Sequence, residues 1–124
     1  MKIRESGEMY LEYIWTLQQQ KGVVRAIDVS LISGYSKPSV SRALGLLKSA
    51  GYVTVDGASG NITLTQNGLT LARKIAERHR ILSSFLQLIG VAEETAGADA
   101  CKLEHVISDE TFEKLKAFVA NSKK

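Results

Sequence analysis

Apolar residues return at helical spacing along most of this chain, and alternate with polar ones in only two short stretches. Tyr10, Tyr13, Ile14 and Leu17 fall three and four apart, which predicts an amphipathic helix over roughly 5–20, stopped by Gly22. A short extended Val23-Val24-Arg25 follows. Ala26 to Ile32, with Ile27, Val29 and Leu31, reads as a short helix, and Ser33-Gly34-Tyr35 as a tight turn into the next. Ser36 is a good N-cap, because its hydroxyl can accept from an orphan backbone N–H. Pro38 falls in the first turn, where its missing N–H costs nothing. Val40, Ala43, Leu44 and Leu47 then make one apolar stripe, and Ala50-Gly51 closes that helix.

Tyr52 to Val55 and Asn61 to Leu64 alternate in polarity and are rich in β-branched residues, so they read as strands joined by the loop Asp56 to Gly60. A lone hairpin is marginal and must lean on the helices. Thr65 can cap a helix of about six turns whose seam is Leu69, Ala72, Ile75, His79, Leu82, Leu86 and Ile89. A seam that long exceeds the core of a small domain, so part of it is expected to meet another subunit. Glu93 to Ile107 reads as a further helix, loosened near Gly97. Ser108-Asp109-Glu110 opens a last one, with Phe112, Leu115, Phe118 and Val119 as its apolar face and Asn121 to Lys124 as a frayed tail.

Helix, helix, turn, helix, hairpin is the order of a winged helix-turn-helix DNA-binding domain. The fold expected is therefore mainly α: a winged helix-turn-helix over 1–65, then a helical domain over 66–124. With 124 residues, 44% hydrophobic and 23% charged, the composition is globular and too short for a barrel enzyme or a two-halved dinucleotide fold. Residues 1–80 carry eleven Lys and Arg against six Asp and Glu, and residues 81–124 carry five against seven. The basic front suits a polyanion. A single cysteine, the lack of an apolar signal core after Met1–Glu5 and the lack of a ~20-residue apolar run predict a cytoplasmic protein without a membrane partner.

Two groups of residues carry chemistry. In the winged helix, Ser36, Lys37, Ser39, Ser41 and Arg42 lie off the apolar stripe, where they would face DNA; the alternative is a solvated helix face. Arg42 can donate two hydrogen bonds to a guanine edge, and Arg25 sits where it can touch the phosphate backbone. In the last third, Cys101, Glu104 and His105 are three and four apart. On a helix all three share one side, with Leu103 and Ile107 on the other. Thiolate, carboxylate and imidazole are three metal-competent donors. A fourth must come from elsewhere. His79 interrupts an apolar seam, and Met9 and Glu12 share a face of the first helix. The alternatives are a core histidine, a solvated Glu104 and Cys101 as a small buried hydrophobe. Catalysis by Cys101 and His105 lacks an orienting group and an oxyanion site, so no enzyme is expected. There is also no GxGxxG, phosphate loop or His-Glu-x-x-His.

From Glu8 to Phe118 the sequence resembles the metal-dependent repressors that include the diphtheria toxin repressor and the manganese transport regulators. The likeness is carried by Glu8-Met9-Tyr10-Leu11-Glu12-Tyr13-Ile14, Arg78-His79-Arg80 and Cys101-Lys102-Leu103-Glu104-His105-Val106-Ile107-Ser108-Asp109-Glu110. The resemblance implies a homodimer that binds double-stranded operator DNA when loaded with Fe(II) or Mn(II), with Co, Ni or Zn substituting in vitro. It implies metal ligation by Met9, Cys101, Glu104 and His105, as in the iron-responsive branch, and base contacts by Ser36, Pro38 and Arg42. That branch's ancillary site keeps only His79 here, since Ser83 and Gly97 stand at the other two places. Glu12 with His79 instead follows the manganese branch, which Cys101 does not, so the number of ions stays open. The sequence reaches Lys124 without the further domain of longer members, which sets the expectation of a two-domain short form. The competing reading is a winged-helix regulator that no longer senses metal.

Overall fold

The computed structural model describes residues 5–122, with side chains from Ser6 onward. The element order is α1 (Glu5–Lys21), α2 (Ala26–Ser33), α3 (Lys37–Ser49), β1 (Val53–Val55), β2 (Ile62–Leu64), α4 (Gln66–Leu88), α5 (Glu93–Leu103) and α6 (Asp109–Ser122). The chain divides into two compact units, Met1–Arg73 and Lys74–Lys124, so the boundary falls inside α4. Met1–Arg4, read above as the start of a chain without a signal core, and Lys123–Lys124 lie outside the described residues. The last helix runs on through Asn121 to Ser122.

In the N-terminal unit three helices and a hairpin close over one core. Leu11 and Ile14 of α1, Val29 of α2, Val40 and Leu47 of α3 and Val53 of β1 are its central members. Gly34 takes the left-handed conformation (φ 77°) that a side chain disfavours, and its N–H closes α2 on the Ser30 carbonyl. Ser36 then caps α3, its Oγ accepting from the Ser39 N–H at 3.3 Å. β1 and β2 pair antiparallel, Val53 opposite Leu64 and Val55 opposite Ile62. Val24 adds a one-residue bridge to Ile62, whose N–H donates to the Val24 carbonyl at 2.7 Å. The hairpin is thus anchored to the α1–α2 link and not left to itself. Thr65 receives the Gly68 N–H at 3.1 Å and donates to the Gly51 carbonyl at 2.6 Å, which fixes where α4 begins.

In the C-terminal unit Ile81, Phe112 and Val119 form the core, with Phe85 and Ile107 against it. Phe118 and Ile89, read as members of apolar faces, are 53% and 60% exposed in the single chain. Two expectations are corrected here. Gly97 does not loosen α5, which is continuous and buries Ala96 and Ala100. Second, α5 stops at Leu103 instead of reaching Ile107. The His105 N–H turns back to the Lys102 carbonyl, and those of Val106 and Ile107 to Leu103, so the chain tightens and leaves the helix. Ser108 then caps α6, its Oγ accepting from the Thr111 N–H at 3.1 Å.

Candidate metal centre and nucleic-acid interface

The early end of α5 sets the geometry of the candidate donors. Cys101 is half-buried in the last turn of α5, Glu104 is its C-cap, and His105 lies in the turn beyond. The expectation that all three project from one helical face is therefore corrected, because only Cys101 lies within the helix. The expected alternative of a solvated Glu104 is corrected too: its side chain is fully buried. The Glu104 carboxylate lies between two imidazoles. His79 Nδ1 is 2.9 Å from one oxygen and His105 Nε2 is 3.3 Å from the other. The His105 side chain is almost fully buried, and that of His79 is about one-third exposed (37%).

Burying a carboxylate is unfavourable unless a positive partner stands beside it. Two imidazole nitrogens and two carboxylate oxygens, meeting where Glu104 and His105 are buried and His79 is partly exposed, supply that partner when an imidazole is protonated. The same atoms are the nitrogen and oxygen donors that divalent transition metals take. The donor set therefore fits a metal ion. His79 and Glu104 are among the candidate ligand atoms that the described residues gather within 4.8 Å of one another, and neither His105 nor Cys101 is.

A residue to which the sequence assigned no role holds this turn. Arg78, one position before His79 on α4, is buried. Its Nη1 donates to the carbonyls of Glu104 (3.2 Å) and Ile107 (2.8 Å), and its Nη2 pairs with Asp109 at the start of α6. The guanidinium carbon lies 5.3 Å from the centre of the Phe112 ring. Lys74, 3.2 Å away, and Arg78 hold the Asp109 carboxyl below the usual carboxylate range. The sequence signals for Arg78 are its place in the Arg78-His79-Arg80 stretch of the resemblance and a charge beside the apolar seam of α4; neither discloses its partners.

In the N-terminal unit Met9 and Glu12 are both half-buried on α1. The Tyr35 hydroxyl donates to the Met9 sulfur at 3.5 Å, and the Tyr35 ring packs on Tyr10 with centroids 5.7 Å apart. Tyr35 immediately precedes the α3 cap, and its carbonyl accepts from Ser30 Oγ at 2.6 Å. Ser36, Lys37, Pro38, Ser41 and Arg42 are exposed, and Ser39 is half-buried against the cap. Arg25 is exposed as well, with a structural engagement that its sequence position does not disclose. Its backbone N–H donates to Asp28 at 2.9 Å and its Nε to Asn61 at 3.2 Å, tying the start of α2 to the hairpin.

A winged helix-turn-helix with a polar, basic face on its third helix, followed by a helical unit with a buried imidazole–carboxylate cluster, defines a DNA-binding regulator with a metal-binding domain. Residues 2–60 match the sequence model of the iron dependent repressor N-terminal DNA binding domain, and residues 65–124 that of the iron dependent repressor metal binding and dimerisation domain. An HTH-type transcriptional regulator of Methanocaldococcus jannaschii is 34% identical over 96% of both chains. The transcriptional regulator MntR of Salmonella typhimurium is 36% identical over 93% of this chain and 73% of its own. Among solved structures, the manganese regulator SloR superposes with a TM-score of 0.81 at 26% identity. That match covers 97% of this chain and 55% of SloR, so this chain spans about half the length of that protein. The chain belongs to the iron-dependent repressor family, whose members are metal-dependent transcriptional regulators. Among the described residues no helix is long and apolar enough to cross a membrane.

Proposed function

We propose that this protein is a cytoplasmic homodimer that represses metal-homeostasis genes by binding double-stranded operator DNA when loaded with Fe(II) or Mn(II). It works as a regulator, not as an enzyme. The observation that carries the reading is the buried Glu104 carboxylate between His79 and His105, in a chain whose other half presents an exposed Arg42 on a capped helix. Glu104, His105, His79 and Cys101 are the donors assigned to the C-terminal domain, and Met9 and Glu12 those assigned to the DNA-binding domain, with the functional boundary at 65/66. A divalent ion supplies the positive charge that such donors otherwise lack.

Arg42 reads base edges, Ser36, Lys37, Pro38, Ser39 and Ser41 contact bases or phosphates, and Arg25 reaches the backbone. Exposed Leu88, Ile89, Val106 and Phe118 in the C-terminal unit support burial between two copies of the chain. In a dimer the two recognition helices must sit about one DNA turn apart, ~34 Å. Metal binding then selects the DNA-competent arrangement. A thiolate and a thioether favour Fe(II), and similarity to a manganese regulator supports Mn(II). Ser83 and Gly97 remove two ancillary ligands, which favours a regulator that has lost metal sensing. The buried imidazole–carboxylate cluster argues against that loss.

Mobility shifts titrated with Fe(II), Mn(II) and chelator under anaerobic conditions test the reading. A Cys101→Ala, Glu104→Ala double variant is expected to keep its fold and lose metal stimulation; full stimulation in that variant would overturn the assignment.

A further inference from the structure

Arg78 and His79 are consecutive on α4, and both engage Glu104: Arg78 takes its main-chain carbonyl and His79 its carboxylate. We infer that Arg78 is the positioning residue of the metal centre, holding the Glu104–Ile107 turn in the shape that presents the carboxylate to His79 and His105. The inference rests on the metal-binding reading above and extends it to a residue that makes no contact with an ion.

A helix leaves its last carbonyls without partners, and buried carbonyls require them. The Glu104 and Ile107 carbonyls find theirs in a single guanidinium, whose rigid fork donates to both at once. The turn is also held from within by the N–H bonds of His105, Val106 and Ile107 to Lys102 and Leu103. Those bonds set the local turn. Arg78 ties the main chain of that turn to α4, the helix that carries His79.

The guanidinium needs its own support, since a buried cation beside a divalent-cation site is repelled by it. Asp109 neutralises it from the first turn of α6, and the Phe112 ring lies close by. Lysine cannot replace this arrangement. An ammonium donates from a single point, while the two carbonyls and the carboxylate require donors in a plane.

The test uses the full chain and Co(II) as probe, followed by its visible absorption in competition with a chelator. Circular dichroism first checks that each protein is folded at the temperature used. Wild type is expected to bind Co(II). Arg78→Gln is expected to bind it about 10- to 100-fold more weakly, the usual cost of removing a group that orients a ligand. Arg78→Lys, which retains the charge and one donor, should fall in between and provides the reading if Arg78→Gln does not fold. Val119→Ala controls for simple destabilisation, since it trims the core of the same unit at a residue that packs with Ile81 and Phe112 and does not support the guanidinium. It should lower the melting temperature and leave Co(II) affinity within about twofold. In metal-free protein, the amides of residues 105–107 should exchange faster in the Arg78 variants than in Val119→Ala. Wild-type affinity in both Arg78 variants overturns the inference, as does an equal loss in Val119→Ala. Failure of wild type itself to bind Co(II) overturns the metal reading on which the inference stands, and that outcome is distinct from the other two.

Discussion

Glu104 carries opposite demands in the free and loaded states. Without metal, its buried carboxylate costs desolvation that two imidazoles only partly offset. Glu104→Gln keeps the shape and removes the charge. We expect the metal-free variant to melt no lower than wild type, and its Co(II) affinity to drop at least about tenfold; unchanged affinity would remove Glu104 from the donor set. Asp28 shows the ordinary use of a carboxylate. Hydrogen bonding from Lys21 (2.7 Å) and from the Arg25 backbone N–H (2.9 Å) holds its carboxyl below the usual range. Its folded pKa therefore lies under its unfolded one. The stability it contributes is present above the unfolded value, about pH 4, and is lost as pH falls through the folded one. Asp28→Asn should cost about 1 kcal/mol near pH 7, the usual scale of a capping interaction. In paired thermal melts the gap between variant and wild type should close at strongly acid pH.

The elements follow from local chemistry wherever that chemistry is self-contained. Ser36 and Pro38 start α3, Thr65 starts α4, and Ser108 starts α6, each through a contact between neighbours in sequence. The end of α5 does not follow from such contacts. Apolar spacing runs on through Leu103 and Ile107, and nothing nearby in sequence marks the stop, because the partner of the freed carbonyls is Arg78, more than twenty residues away. The error about one helical face for Cys101, Glu104 and His105 has the same source. Gly68 is a second long-range constraint. A methyl group there would overlap the carbonyl of Tyr52, since the first turn of α4 packs flush against the residue before β1. Gly68→Ala is a favourable change by helix propensity alone. We expect it instead to destabilise by about 3 kcal/mol, near the upper end for overpacking, in urea unfolding.

For the whole molecule, function is a coupling between two ligands, and coupling is reciprocal. If metal tightens operator binding by some factor, operator must tighten metal binding by the same factor. Co(II) titrations with and without duplex, set beside DNA titrations with and without Co(II), should return one number; two different numbers would mean that metal acts by another route, such as assembly alone. Arg42→Ala should weaken operator binding by about 1–3 kcal/mol in fluorescence anisotropy, with the melting temperature and Co(II) affinity unchanged. Periodicity and capping residues by themselves determined the winged helix and its exposed polar face, because those signals pass between residues a few positions apart; the candidate donors came from residue type, spacing and the family resemblance. Tertiary structure alone decided where α5 ends, that Glu104 is buried between two imidazoles, and that Arg78 braces the turn. Each of these depends on groups far apart in sequence meeting where water is excluded, and there a carbonyl or a carboxylate must find its partner within the protein.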